Sequence, residues 1–247
     1  MNGLDLFAGS GIGSLALKQI IPDYKTVCYV EWEAYCQAIL ISRIKDGLLD
    51  DAPIWDDVRT FDGKQWRDKV DIVYGGFPCQ PFSVAGKNKG AEDERNMWPD
   101  TIRIIDEVRP RYALLENVPN LLVHKYIRRV FGDLAEIGYD CEWDVVGAGD
   151  VGFPFYKNRL WMVASLSNCN RLCWRDGKYR TNTQEITIRE RVEFERLVHA
   201  ELQISVPAGK HRRMVNRIPH RMERLKMLGN AWVPQVVKRI LRVNDAV

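Results

Sequence analysis

Six short runs of strand-like composition, separated by stretches of helical spacing, constrain this sequence more than any other feature. The runs are GLDLF (3–7), TVCYVE (26–31), VDIVYGG (70–76), RYALLEN (111–117), CEWDVV (141–146) and RLWMVAS (159–165), and residues 33–45, 98–108 and 125–137 carry the helical pattern. A helix between two strands returns the chain so that the strands run parallel. The expected fold is therefore α/β, a doubly wound and mostly parallel sheet. Such sheets bind ligands beyond the carboxyl ends of their strands, so the residues that follow each run are where chemistry is to be sought.

After the first run comes Phe7-Ala8-Gly9-Ser10-Gly11-Ile12-Gly13, and then a helical pattern. Glycines let a backbone turn sharply and approach a ligand closely. Glu31, at the end of the second run, can accept from both hydroxyls of a ribose. Trp32 beside it can cover an adenine face. Asp56-Asp57-Val58 adds a carboxylate for an adenine amino group and an apolar side chain for the ring, with either aspartate able to serve. This is a nucleotide-type loop, and by itself it suits NAD or FAD equally well.

The third run ends in Phe77-Pro78-Cys79-Gln80-Pro81-Phe82-Ser83, which puts a thiol between two prolines at a strand's carboxyl end. Prolines stiffen the backbone and remove donors, a costly way to hold an inert cysteine. The fourth run ends in Glu116-Asn117-Val118-Pro119, so a thiol and a carboxylate are expected at one rim. That pairing fits nucleophilic addition to an electron-poor ring. The thiolate attacks, and a carboxyl group bonded to a ring nitrogen stabilises the charge that develops.

Composition narrows the class. The 247 residues suffice for one α/β domain with a small appendage, and no apolar run approaches the roughly 20 residues of a membrane helix. MNGLDLF lacks the basic and long apolar segments of a secretory signal, so a cytoplasmic protein with reduced thiols is expected. Cys169 and Cys173 are spaced like metal ligands but have only the distant His199 and His211 to complete a set, and no metal is expected. The net charge of +3 hides a split: residues 1–165 carry 19 basic and 25 acidic side chains, whereas 166–226 carry 14 basic and 7 acidic. A basic segment on an acidic core points to a polyanion held by one part and chemistry done by the other.

Together these segments resemble the cytosine-C5 DNA methyltransferases. DLFAGSGIG (5–13) is similar to that family's cofactor loop, GGFPCQPFS (75–83) to its nucleophile loop and EDERNMW (92–98) to the next cofactor-contacting turn. LLENVPNLL (114–122) is similar to its carboxylate motif and GNAWVPQ (229–235) to the closing motif that returns to the cofactor pocket. The resemblance implies a Rossmann-like sheet binding S-adenosylmethionine through Phe7, Ala8, Gly9, Gly11, Gly13, Glu31, Trp32, Asp57, Val58, Gly76, Pro78, Met97, Asn230 and Trp232. It implies that Cys79 adds to C6 of a cytosine flipped out of duplex DNA while Glu116, next to Asn117, engages N3. Gln80 and Ser83 would sit on a glycine-bearing loop that closes over the base.

Two departures stand out. Where the family has a glutamine and two arginines at alternating positions, this chain has Phe155, Lys157 and Arg159. Arg159 is expected to make the contact to the cytosine O2, while Lys157 keeps charge without the planar fork and is expected in a supporting or phosphate-binding role. The long motif before the closing one is absent, and Arg212, Arg213, Arg217 and Arg221 stand in a short segment instead. This resembles compact phage and prophage members, in a bacterial or phage-infected host cell. The implied division is a catalytic domain over 1–165, a small target-recognition region over 166–226 and a returning segment over 227–247. A monomer bound to double-stranded DNA is expected. A tRNA cytosine-C5 methyltransferase and an inactive DNA-binding relative are the alternatives, and an NAD-dependent oxidoreductase explains neither Pro78-Cys79 nor Glu116-Asn117-Val118.

Overall fold

The computed structural model of the protein describes residues 1–78, 96–123, 125–153, 157–166 and 232–241. Seven strands form one sheet: β1 (Asn2–Leu6), β2 (Lys25–Val30), β3 (Ile54–Trp55), β4 (Ile72–Gly76), β5 (Tyr112–Asn117), β6 (Tyr139–Gly147) and β7 (Asn158–Leu166). Their order is β3-β2-β1-β4-β5-β7-β6. The pairs among β1 to β5 are all parallel, and β7 runs antiparallel between β5 and β6. The expected α/β sheet and all six expected strands are present, and the two-residue β3 is an addition too short for a periodicity signal.

Local sequence accounts for the helices: α1 (Ile12–Ile20), α2 (Ala34–Lys45), α3 (Trp98–Val108), α4 (Tyr126–Glu136) and α5 (Pro234–Ile240). Pro99 and Pro234 stand in the first turns of α3 and α5, where a missing N–H costs nothing. Both α3 and α4 bury one apolar stripe, Ile104, Ile105 and Val108 on one and Ile127, Val130 and Leu134 on the other. Between β6 and β7 the segment 148–157 has no helical spacing and is too short for a helical crossover, so the chain turns back antiparallel.

Alternation along the strands sends side chains to two cores. Leu4, Leu6, Val73, Ala113, Leu115 and Met162 pack with α3 and α4. Ile72, Tyr74, Leu114, Trp161 and Val163 pack with α1 and α5 on the other face. Trp232, just before α5, is wedged there, with ring centroids 4.9 Å from Trp161 and 5.9 Å from Tyr74. Thus the stretch 232–241 is built into the sheet's core. Among the described residues no helix is long and apolar enough to cross a membrane.

Candidate active site

At the carboxyl end of the sheet, β4 and β5 lie side by side with Gly76 in register with Glu116. Across β5, Glu116 is in register with Trp161 of β7. The period of two along β7 puts Arg159 on the same face as Trp161, and Arg159 Nε donates to Glu116 Oε1 at 2.7 Å. Glu116 is buried, and burial raises its carboxyl above the usual range, opposed by the positive charges of Arg159 and Lys157. A Cβ on residue 76 would stand 2.6 Å from Glu116 Oε2, so only glycine lets the carboxylate lie across the end of β4.

Asn117 faces the opposite way. Its Nδ2 donates to the carbonyl of Phe77 at 3.1 Å and its Oδ1 accepts from the backbone of Val118 at 2.8 Å. One amide thus ties the chain leaving β4 to the chain leaving β5, and Phe77 leads through Pro78 toward Cys79. Lys157, half-buried, shares a small cleft with Glu116, Arg159, Trp161 and Trp232. Trp161 was invisible as a site residue from sequence, and its one signal is the spacing of two from Arg159 along β7.

The second half of the site lies at the ends of β1 and β2. Gly9 and Gly11 have φ of +56° and +77°, and Phe7 has φ +57°, a conformation rare for a bulky side chain. At Gly9 a Cβ would meet only the Phe7 carbonyl, at 4.0 Å, so the loop is open on that side. Glu31 Oε2 accepts from the Gly9 N–H at 2.6 Å and Oε1 from the Glu33 N–H at 2.7 Å. This fixes the carboxylate beside the glycine turn, at the end of β2. Ala8 is buried, its N–H donating to Val30, and Gly13 packs near Tyr74 and Trp232. The open loop, anchored carboxylate and exposed Trp32 suit the ribose and adenine ends of an S-adenosylmethionine-like ligand.

Asp57 opens a short 3-10 turn and has side chain and backbone bonds to Arg59, whose bonds and charge hold its carboxyl below the usual range. Asp56 is exposed. Val58 is buried in the core with Phe61, and half-buried Met97 packs against the same core. Arg59, over Trp32 and on Asp57, and Arg43, whose buried guanidinium bonds the Ser10 carbonyl, were not legible as site residues. Arg43 sits in a segment with no motif of its own, and Arg59 follows directly on Asp56-Asp57-Val58 without being part of that pattern.

Beneath the loop Asp5 Oδ2 accepts from Ser14 Oγ at 2.7 Å, and the same hydroxyl meets Tyr74 Oη at 2.7 Å. Burial pushes the Asp5 carboxyl up to about 7. Cys79, Gln80, Ser83, Asn230, Arg212, Arg213, Arg217 and Arg221 lie outside the described residues. Among the described residues, no cluster of three or more His, Cys, Asp or Glu side chains is arranged to hold a metal ion.

Comparison with known proteins gives a consistent result. The pattern described as C-5 cytosine-specific DNA methylase matches residues 1–207. Type II methyltransferase M.NgoMIV of Neisseria gonorrhoeae is 34% identical over 169 residues, 65% of this chain and 50% of its own. Type II methyltransferase M.HhaI of Haemophilus parahaemolyticus is 32% identical over 171 residues, 68% and 50% respectively. The chain thus spans about half the length of these curated relatives. In fold, a crystal structure of a DNMT2 mutant from Spodoptera frugiperda superposes with a TM-score of 0.59 at 22% identity, over 72% of this chain and 53% of that one.

Proposed function

Because the chain belongs to the C-5 cytosine-specific DNA methylase family, we propose that it transfers a methyl group from S-adenosylmethionine to carbon 5 of a cytosine in double-stranded DNA. The observation that carries this reading is the pair of half-buried Arg159 with buried Glu116 at 2.7 Å, beside the strand end that leads to Cys79. A carboxyl raised by burial can keep a proton for N3 of a cytosine, and a guanidinium beside it can hold O2. Together they draw electron density out of the ring and make C6 electrophilic.

The Cys79 thiolate adds to C6, its electron pair forming the S–C6 bond while the C5=C6 π pair shifts to C5, which becomes the nucleophile. S-adenosylmethionine, when bound, would supply the electrophilic methyl group, the electrons of its S–CH3 bond staying on sulfur so that S-adenosylhomocysteine is the leaving group. A base then takes the C5 proton, and the electrons of that C–H bond reform the C5–C6 double bond as the Cys79–C6 bond breaks. Glu116 and Arg159 hold the ring throughout. Because a thiol cannot reach the face of a stacked base, the cytosine must leave the duplex first.

In this reading Gly9, Gly11, Glu31, Trp32 and Asp57 hold the cofactor, and Lys157 with the arginines of 166–226 grips phosphates. The protein acts as a monomer in the cytoplasm of a bacterial or phage-infected cell. The test is transfer of labelled methyl to duplex DNA, with tRNA as the competing substrate and Cys79→Ser as the control. Transfer to DNA that Cys79→Ser abolishes, together with covalent capture by a 5-fluorocytosine oligonucleotide, is the expected result. An active Cys79→Ser protein would refute the covalent route, and transfer to tRNA alone would refute the substrate.

A further inference from the structure

Arg59 holds both Trp32 and Asp57, the two residues assigned to the adenine pocket. Its guanidinium donates to the Asp57 carboxylate from Nε at 2.9 Å (Oδ1) and 3.1 Å (Oδ2), and from Nη2 at 2.8 Å (Oδ2). The same group lies over the indole of Trp32, with Cζ 4.9 Å from the ring centroid. One planar cation therefore lies over the aromatic face and presents N–H groups to the carboxylate. An adenine bound by these two residues would do the same two things, lying flat on the indole and donating its exocyclic amino hydrogens to Asp57.

We propose that Arg59 is an internal competitor for the adenine position, and that displacement of its side chain sets the affinity for the cofactor. This rests on the adenine-pocket reading of Trp32 and Asp57. The backbone around Arg59 is fixed. Arg103 on α3 donates to the carbonyls of Val58 at 3.0 Å and Phe61 at 2.8 Å, and Thr60 N–H bonds the Asp57 carbonyl at 3.1 Å. The Arg59 side chain is half exposed, so it can leave its place by rotamer changes alone. Trp32 is 64% exposed, and its ring gains cover when either group lies on it.

Leaving costs an exposed ion pair and an exposed cation–π contact, both weak in water, so the competition amounts to about fivefold in affinity. Salt screens an exposed ion pair, so the competition should ease as salt rises. A purely structural role for Arg59 would produce the opposite sign, with weaker binding when it is removed.

The test is calorimetric titration of S-adenosylhomocysteine into the intact wild-type protein and into Arg59→Ala, Trp32→Ala and Asp57→Asn variants, at low and moderate salt. Arg59→Ala is expected to bind about fivefold tighter than wild type at low salt, with the gap closing as salt is raised, and Trp32→Ala to bind more weakly. Unchanged or weaker binding by Arg59→Ala, with Trp32→Ala still weakened, overturns the competitor and leaves the adenine pocket standing. Binding unaffected by both Trp32→Ala and Asp57→Asn overturns the pocket and the proposal together. Arg59→Ala should unfold at the wild-type temperature, which separates the binding effect from a folding one.

Discussion

Arg159 Nε donates to Glu116 Oε1 at 2.7 Å, so a guanidinium on β7 clamps a carboxylate on its antiparallel neighbour β5. Replacing Arg159 with alanine leaves a buried carboxyl without its nearest cation and raises it further. Methyl transfer by Arg159→Ala is expected to fall about a hundredfold or more, and Arg159→Lys to recover only part of it because lysine lacks the planar fork. Initial rates with labelled S-adenosylmethionine check this, and circular dichroism checks the fold.

Gly75 and Gly76 are neighbours with different duties. A Cβ at residue 75 would fall 2.1 Å from the backbone carbonyl oxygen of Leu6, inside the sheet, whereas one at residue 76 meets the Glu116 carboxylate at 2.6 Å. Gly75→Ala should therefore cost roughly 1–3 kcal/mol or more and lower the melting temperature by several degrees. Gly76→Ala should keep its melting temperature within a few degrees while losing most of its turnover, because the displaced group is the tip of the side chain to which the proposed mechanism assigns N3 of the cytosine. Thermal melts and rates on both variants test the contrast.

Asp5 gives the stability a pH dependence of known sign. Its folded carboxyl is raised to about 7 from 3.8, mainly by burial, with the nearby Glu31 charge adding to it and the Ser14 and Tyr74 bonds opposing it. The folded state therefore binds more protons than the unfolded state between those two values, and stability falls as pH rises through that window. The loss is on the order of 4 kcal/mol at most. Asp5→Asn cannot ionise, so its melting temperature relative to wild type should rise from pH 4 to pH 7 and level off above. A difference independent of pH would mean that the carboxyl does not titrate in that window.

The arginines at 212, 213, 217 and 221 are expected to clamp phosphates, which releases counterions and makes affinity fall steeply with salt. Duplex binding by the full chain should weaken by an order of magnitude or more between low and moderate salt. Arg212→Ala/Arg213→Ala should flatten that slope without changing S-adenosylhomocysteine affinity. A slope unchanged by the double substitution would remove these residues from the DNA grip.

How much of this was legible differs from residue to residue. Strand and helix positions are written in side chains a few residues apart, so runs such as VDIVYGG and RYALLEN mark β4 and β5 to within two residues. Gly9, Gly11 and Glu31 were legible for the same reason, because a glycine turn and a strand-end carboxylate are local patterns. The position of β7 between β5 and β6 was not. Register follows from which faces pack against α1 and α5, and that packing joins segments distant in sequence.

The sequence alone thus determined the class of fold, and it marked the strand ends and side chains on which the proposed chemistry rests. Tertiary structure alone decided that Arg159 meets Glu116, that Gly76 makes room for the carboxylate, that Trp232 fills the space between Tyr74 and Trp161, and that Arg59 covers Trp32 and Asp57. The reason is physical. A residue's neighbours along the chain fix its backbone preference, but its partners across a sheet are fixed by a sum of weak, long-range packing terms that no single stretch of sequence carries.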